Sequence, residues 1–202
     1  MTGPADLAAA QLGRMRAMNA KYHARFFADV RYSVTASLGL FVAAAALDGR
    51  LLALIPVVAL IGAAQTAFDA SYLIFSRQYA TRLERWLNRE LGTGVLVANR
   101  LEDAYLFPLD KPKVVTLAWG SGFTWFGFMT AFYTVIGASV FVVGLVGGAQ
   151  AIASSNRLVS VAYLLTMVVI TLITLGVGWW WFPGGVGERR LRQILDETFP
   201  PD

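Results

Sequence analysis

Apolar residues in this chain gather into four long runs, and the stretches between them mix apolar and charged positions at helical spacing. Residues 32–47, "YSVTASLGLFVAAAAL", carry no charge. Residues 51–75 carry one, Asp69. Residues 114–148 hold none over 35 positions, and residues 159–182 form a 24-residue run ending in "WWWF". Crossing the ~30 Å hydrocarbon core takes roughly 20 mostly apolar residues in a helix. The pattern therefore predicts an all-α polytopic membrane protein with four transmembrane helices. The third run is longer than one crossing requires. Its start, "TLAWGSGFTW" at 116–125, sets Trp119 and Trp125 around Gly120-Ser121-Gly122. This reads as an interfacial entry followed by a span over 127–147, with a broken helix lining a cavity as the functional alternative.

The flanking segments extend this picture. The loop "DGR" at 48–50 is short enough to make spans one and two an antiparallel hairpin, residues 32–75. Folding about Gly49 brings Gly39, Ala43 and Ala46 towards Ala59, Ala63 and Ala67, small residues that permit close helix approach. Residues 76–91 extend the second helix, with Tyr79, Leu83, Trp86, Leu87 and Leu91 on one face and Arg82, Arg85 and Arg89 on another. Residues 1–31 show Met15, Met18, Tyr22 and Phe26 at the same periodicity, and the fold about Gly49 sets Arg14 opposite Glu84. Two arms of about 42 residues make a hairpin of roughly 60 Å, half of it outside lipid as a standing stem. The alternative lays residues 4–28 flat on the anionic leaflet. Residues 92–113 read as a linker with one hairpin. Residues 114–182 form the second transmembrane pair. Residues 183–202 hold a tail helix with Leu191, Ile194, Leu195 and Phe199 on one face.

Charge gives the direction of insertion. Fifteen Lys and Arg fall before span one, between spans two and three, or after span four, whereas the two short loops hold only Arg50 and Arg157. Basic loops stay inside, which predicts cytoplasmic termini and linker in a cell inner (plasma) membrane. The charged leader of 31 residues is too long for a cleaved signal peptide. Composition agrees, with 56% hydrophobic and 15% charged residues at a mean hydropathy of +0.56. A soluble domain is nearer a quarter charged. The net charge of +4 is thereby accounted for by topology, and nucleic acid is not implied. No cysteine and one histidine, His23, argue against metal centres, cofactors and thiol chemistry.

Little candidate chemistry remains. Gln65, Asp69, Tyr72 and Ser76 lie at 4-3-4 spacing on one helix face, as a pathway for a proton or cation or as a packing stripe. Asp69 falls at the inner interface, level with Asp29 and near Arg25 and Arg31. Trp119, Trp125, Trp179, Trp180 and Trp181 read as interfacial anchors. Three consecutive helical residues point in directions spanning ~200°, so "WWW" is no flat binding platform. Gly137, Gly144 and Gly148 form a small-residue face with one GxxxG and no stated partner. Glu102 and Asp103, being adjacent, point in different directions and make no acid/base pair. No nucleophile elbow or phosphate-binding loop occurs, and no enzyme is expected. Three classes remain. The first is an oligomeric scaffold or accessory subunit, with anionic lipid, further copies and a protein at the stem as partners. The second is a homo-oligomeric channel gated by the stem, and the third a transporter or membrane enzyme. The absence of native cysteines makes the topology testable. Single cysteines at positions 50 and 157 are expected to react with a membrane-impermeant maleimide on intact cells, and cysteines at 14, 100 and 190 only after lysis.

Overall fold

The computed structural model describes residues 3–109, 113–114, 117–118 and 123–199. Apart from one two-residue antiparallel pair, β1 (Lys113–Val114) with β2 (Leu117–Ala118), its regular structure is helical. α1 spans Pro4–Ala46, and a 3-10 turn over Gly49–Leu54 leads into α2 (Ile55–Glu90). α3 (Ala98–Tyr105), α4 (Trp125–Ala153), α5 (Arg157–Trp181) and α6 (Val186–Thr198) follow. Four helical segments are long and apolar enough to cross a membrane.

Local chemistry explains the boundaries. Pro4 and Pro56 occupy first turns, where the missing N–H has no intrahelical partner to lose. The Asp48 carboxylate accepts the Arg50 backbone N–H at 2.9 Å and its guanidinium at 2.7 Å, closing the turn between α1 and α2. α2 stops at Gly92, whose φ of +59° suits glycine. The Gly92 N–H donates to Arg89 O and the Thr93 N–H to Asn88 O, so the last carbonyls are satisfied. Gly185, also left-handed at φ +65°, turns the chain after α5 by donating to Phe182 O and stands as the N-cap of α6.

The chain divides into two compact units. The first comprises Met1–Arg25, Phe68–Thr130 and Trp180–Asp202. Here the partners of α1 and α2 occur in reversed order: Arg16 with Glu84, Tyr22 with Tyr72 and Arg25 with Asp69. Glu84 thus takes Arg16 where the sequence suggested Arg14. Met15 and Asn19 face inward on α1, Arg16 lies on the flank towards Glu84, and Arg14 points to solvent. An apolar cluster of Met15, Ala80 and Leu83, with Leu12, Met18 and Tyr79 around it, fills the same contact. On α2, Leu83 and Leu87 are buried as expected, whereas Leu91 is exposed. The linker holds α3 where one hairpin was expected. The tail helix α6 seats Leu195 inward and pairs Asp196 with Arg82, leaving Ile194 outside, and Phe199 just past its end lies tilted against Tyr79.

The second unit comprises Phe26–Ala67 and Ala131–Trp179. Its Lys and Arg are Arg31, Arg50 and Arg157 alone, and its acids Asp29 and Asp48. Small residues bring its helices together. A Cβ built on Gly148 would lie 2.5 Å from Ala53 Cα, and one on Gly144 2.7 Å from Ile55 Cβ. The GxxxG face therefore packs within the chain, while Gly137 has open space around it. α1 and α2 come close at Gly62, where an added Cβ would lie 2.8 Å from Ser33 Cβ, whereas Gly39, on the expected seam, has open space around it. Ser160 donates to Ala149 O at 2.8 Å and Tyr163 to Ala53 O at 3.1 Å, tying α5 to α4 and to the 3-10 turn. Outward positions such as Leu38, Val42, Val135, Leu165 and Leu172 are apolar.

These contacts separate two glycines of similar sequence context. Gly148→Ala must move backbone and is expected to cost about 1–3 kcal/mol. Gly137→Ala meets nothing and gains up to about 1 kcal/mol of helix propensity. Thermal unfolding of the two variants in detergent reads the difference, and equal midpoints would contradict this packing.

Candidate functional site

Charge in the first unit converges on one side chain. Arg77 on α2 is 1% exposed. Its Nη1 donates to Phe107 O at 2.6 Å, Nη2 to Asp103 at 2.8 Å and Nε to Glu102 at 3.3 Å. The guanidinium carbon lies 4.4 Å from the centre of the Phe107 ring. Burial pulls the Arg77 pKa below its ordinary value, while Glu102 and Asp103 act in the opposite direction. An arginine remains protonated under either influence, so the geometry must compensate the charge.

Two further groups close the cluster. Arg16 on α1 pairs with Glu102 and, at 2.5 Å, with Glu84, which is also buried. Asn19 donates to Glu102 at 3.2 Å. Glu84 in turn accepts the backbone N–H of Asn99 at 3.2 Å. That N–H belongs to the first turn of α3, where a carboxylate meets unsatisfied donors and the positive end of the helix dipole. One turn further along α2, Asn88 exchanges two hydrogen bonds with the backbone of Leu96. α3 itself contributes no buried residue. It is therefore held by polar contacts, with Leu101 and Tyr105 facing outward.

Glu102 and Asp103 do point in different directions along α3, yet both reach Arg77. The guanidinium presents donors on several edges, so two carboxylates about 100° apart on one helix meet different nitrogens of one group. The sequence did carry a signal for this. Leu73, Arg77, Ala80, Glu84 and Leu87 run at 4-3-4-3 spacing, an inward heptad stripe with two charges set in it. A buried Arg on such a stripe needs acids from elsewhere, and the linker holds the adjacent pair.

The sequence-derived stripe has a different environment. Asp69 is fully buried, with the Arg25 guanidinium at 3.8 Å. Tyr72 stacks on Tyr22 with ring centres 4.6 Å apart, and Arg25 lies 5.5 Å over Tyr22. The Ser76 hydroxyl donates to Leu73 O at 3.1 Å inside the unit. These three residues belong to the first unit and half-exposed Gln65 to the second. Among the anchors, Trp125, Trp179 and Trp180 are exposed, Trp181 packs against Gly187, and Trp119 lies outside the described residues. Among the described residues no group of three or more His, Asp or Glu is placed to hold a metal ion.

His23 stacks on Phe126 at 5.5 Å, and Phe126 lies 5.8 Å from Phe107, so aromatic packing continues from Arg77 to the start of α4. Burial lowers the His23 pKa below 6.5. Compared with known families, characterised proteins and solved structures, the chain matches no family model, no curated protein and no solved structure.

Two outcomes follow. Arg77→Met takes the buried cation from Asp103, the Phe107 carbonyl and one side of Glu102, which keeps Arg16, and is expected to cost about 3–5 kcal/mol of unfolding free energy. Exposed Arg100→Met should change it by no more than about 0.5 kcal/mol. Equal effects in thermal unfolding would remove the cluster's structural role. For His23 the folded protein binds the proton less readily than the unfolded chain, so this stabilisation is present at neutral pH and fades as pH falls through 6.5. Between pH 7.5 and 5.5 the wild-type midpoint should fall further than that of His23→Gln, and parallel curves would contradict the assignment.

Proposed function

We propose that this chain is a four-span inner-membrane protein that acts as a scaffold or accessory subunit through a charged cytoplasmic body. One observation carries this reading. The division of the chain by contacts coincides with a division by charge, since all Lys and Arg except Arg31, Arg50 and Arg157 fall in the first unit. By the positive-inside rule, both ends and the linker then face the cytoplasm. α1 and α2 form one long antiparallel hairpin whose outer arms contribute to that body. The reversed order of their partners, from Arg16–Glu84 to Arg25–Asp69, supports the hairpin.

A body built around a buried Arg77 is suited to present surfaces in fixed positions. α3 offers Leu101 and Tyr105 outward, and α6 adds Ile194 beside Arg190 and Arg192. The exposed arginines suit anionic headgroups of the inner leaflet. In the spans, Gly39, Gly137 and Gly176 have open space around them, which gives a second copy room for close approach.

The channel reading ranks second. A pore between copies needs its polar stripe on an outer face. Full burial of Asp69 and Ser76, together with the Tyr72–Tyr22 stack, favours packing over conduction. Reconstitution in liposomes separates the two. The scaffold reading expects cation flux no greater than in protein-free vesicles, and Asp69→Asn to lower stability only. A cation flux that Asp69→Asn abolishes would replace the scaffold by a pore.

A further inference from the structure

An open groove of about 510 Å³ runs along the first unit. Leu7 and Arg14 of α1, Tyr79, Leu83 and Trp86 of α2, and Phe199 beyond α6 are among its lining residues. Its surface is mainly apolar and aromatic, and Leu7 is 62% exposed at its edge. Arg14 is the one charged side chain in the lining. It is exposed, and no acid pairs with it among the described residues.

Shape and neighbourhood indicate what fits. Each wall, from Leu7 to Arg14 and from Tyr79 to Trp86, is two helical turns long, about 10 Å. Two antiparallel helices with an apolar trough between them present the seat for a third helix. The chain already uses this surface at one end. Phe199 packs 6.1 Å from Tyr79 after Asp196 has paired with Arg82, an apolar anchor beside an acid–arginine pair. The open part of the groove repeats that combination, with Leu7, Leu83 and Trp86 as the apolar floor and Arg14 as the cation.

We propose that the groove receives an amphipathic helix of a partner protein, with apolar anchors at i, i+3, i+4 and i+7 and an acidic residue on the flank that meets Arg14. This deepens the scaffold reading and rests on it. The apolar anchors supply the contact area, and the acid decides between partners, because a basic flank would set like charges against Arg14.

The test uses the full chain in nanodiscs and two fluorescein-labelled helical peptides. Both carry Leu at i, i+3, i+4 and i+7, one with Glu and the other with Lys on the flanks. Fluorescence anisotropy is expected to show the Glu peptide binding at least tenfold more tightly. Arg14→Glu should abolish that preference, and Leu7→Arg should weaken both peptides about tenfold. Both positions are exposed, so an unchanged thermal transition confirms that the variants are folded. Equal binding of the two peptides, or unaltered affinity in either variant, would overturn the proposal. Deleting residues 200–202 should leave affinity unchanged, and a rise would assign the groove to the chain's own tail and overturn it too. Failure here is distinguishable from failure of the scaffold reading, which an Asp69-dependent flux in liposomes would overturn independently of peptide binding.

Discussion

Arg77 is a permanent charge with almost no access to water, and the first unit is arranged around compensating it. Moving a guanidinium out of water costs several kcal/mol, and its five N–H donors must all be met. Carboxylates from α3 and the Phe107 carbonyl accept one hydrogen bond from each of its three nitrogens. Those acids need further cations in turn. Arg16 supplies one, bridging Glu102 and the equally buried Glu84. The result joins α1, α2 and α3 through one continuous set of ion pairs. In helices rich in Ala and Leu many registers bury similar apolar area. A shift by one turn here would strand at least two charges, so the cluster selects a single register.

The second unit is held by different means. Helices surrounded by apolar solvent gain little from burying apolar surface against one another, so close backbone approach and interhelical hydrogen bonds matter more. Gly148 against Ala53, Gly62 against Ser33 and the Tyr163–Ala53 hydrogen bond are contacts of that kind. The two kinds of packing fall in different units, close backbone approach in the apolar one and ion pairs in the charged one. The positions given over to polar interactions hold the fold, and the outward face of α3 and the groove at Arg14 are the surfaces left over, which the proposed scaffold role assigns to partners.

Much of this was legible in the sequence. The four apolar runs give the four long helices because length and lack of charge are properties of single segments. The end of α2 near Gly92 was readable for the same reason, as was the docking face of α6 at Leu195 and Phe199. What was not readable depended on phase between segments. A shift of two positions replaces Arg14 by Arg16 opposite Glu84, and one of three sets Ser33 rather than residue 36 opposite Gly62. The charge cluster was missed for a related reason. Arg77 looks like one more interfacial arginine until the 4-3-4-3 stripe from Leu73 to Leu87 is set beside the Glu102-Asp103 pair 25 residues on. α3 was harder still, since eight residues with no buried member form a helix only when something outside them caps and anchors it.

α3 therefore depends on the charge cluster for its existence as a helix. The Asn99 N–H lies in the first turn of a short helix and would exchange freely in an isolated peptide. Here it donates to buried Glu84. Hydrogen–deuterium exchange on the full chain in nanodiscs reads this amide directly. Protection at Asn99 is expected to be comparable to that of Ala80 to Leu87 on α2, and to be lost together with the Arg77 cluster in the Glu84→Gln variant. Exchange at Asn99 as fast as in an unstructured peptide, in the unaltered protein, would contradict this dependence.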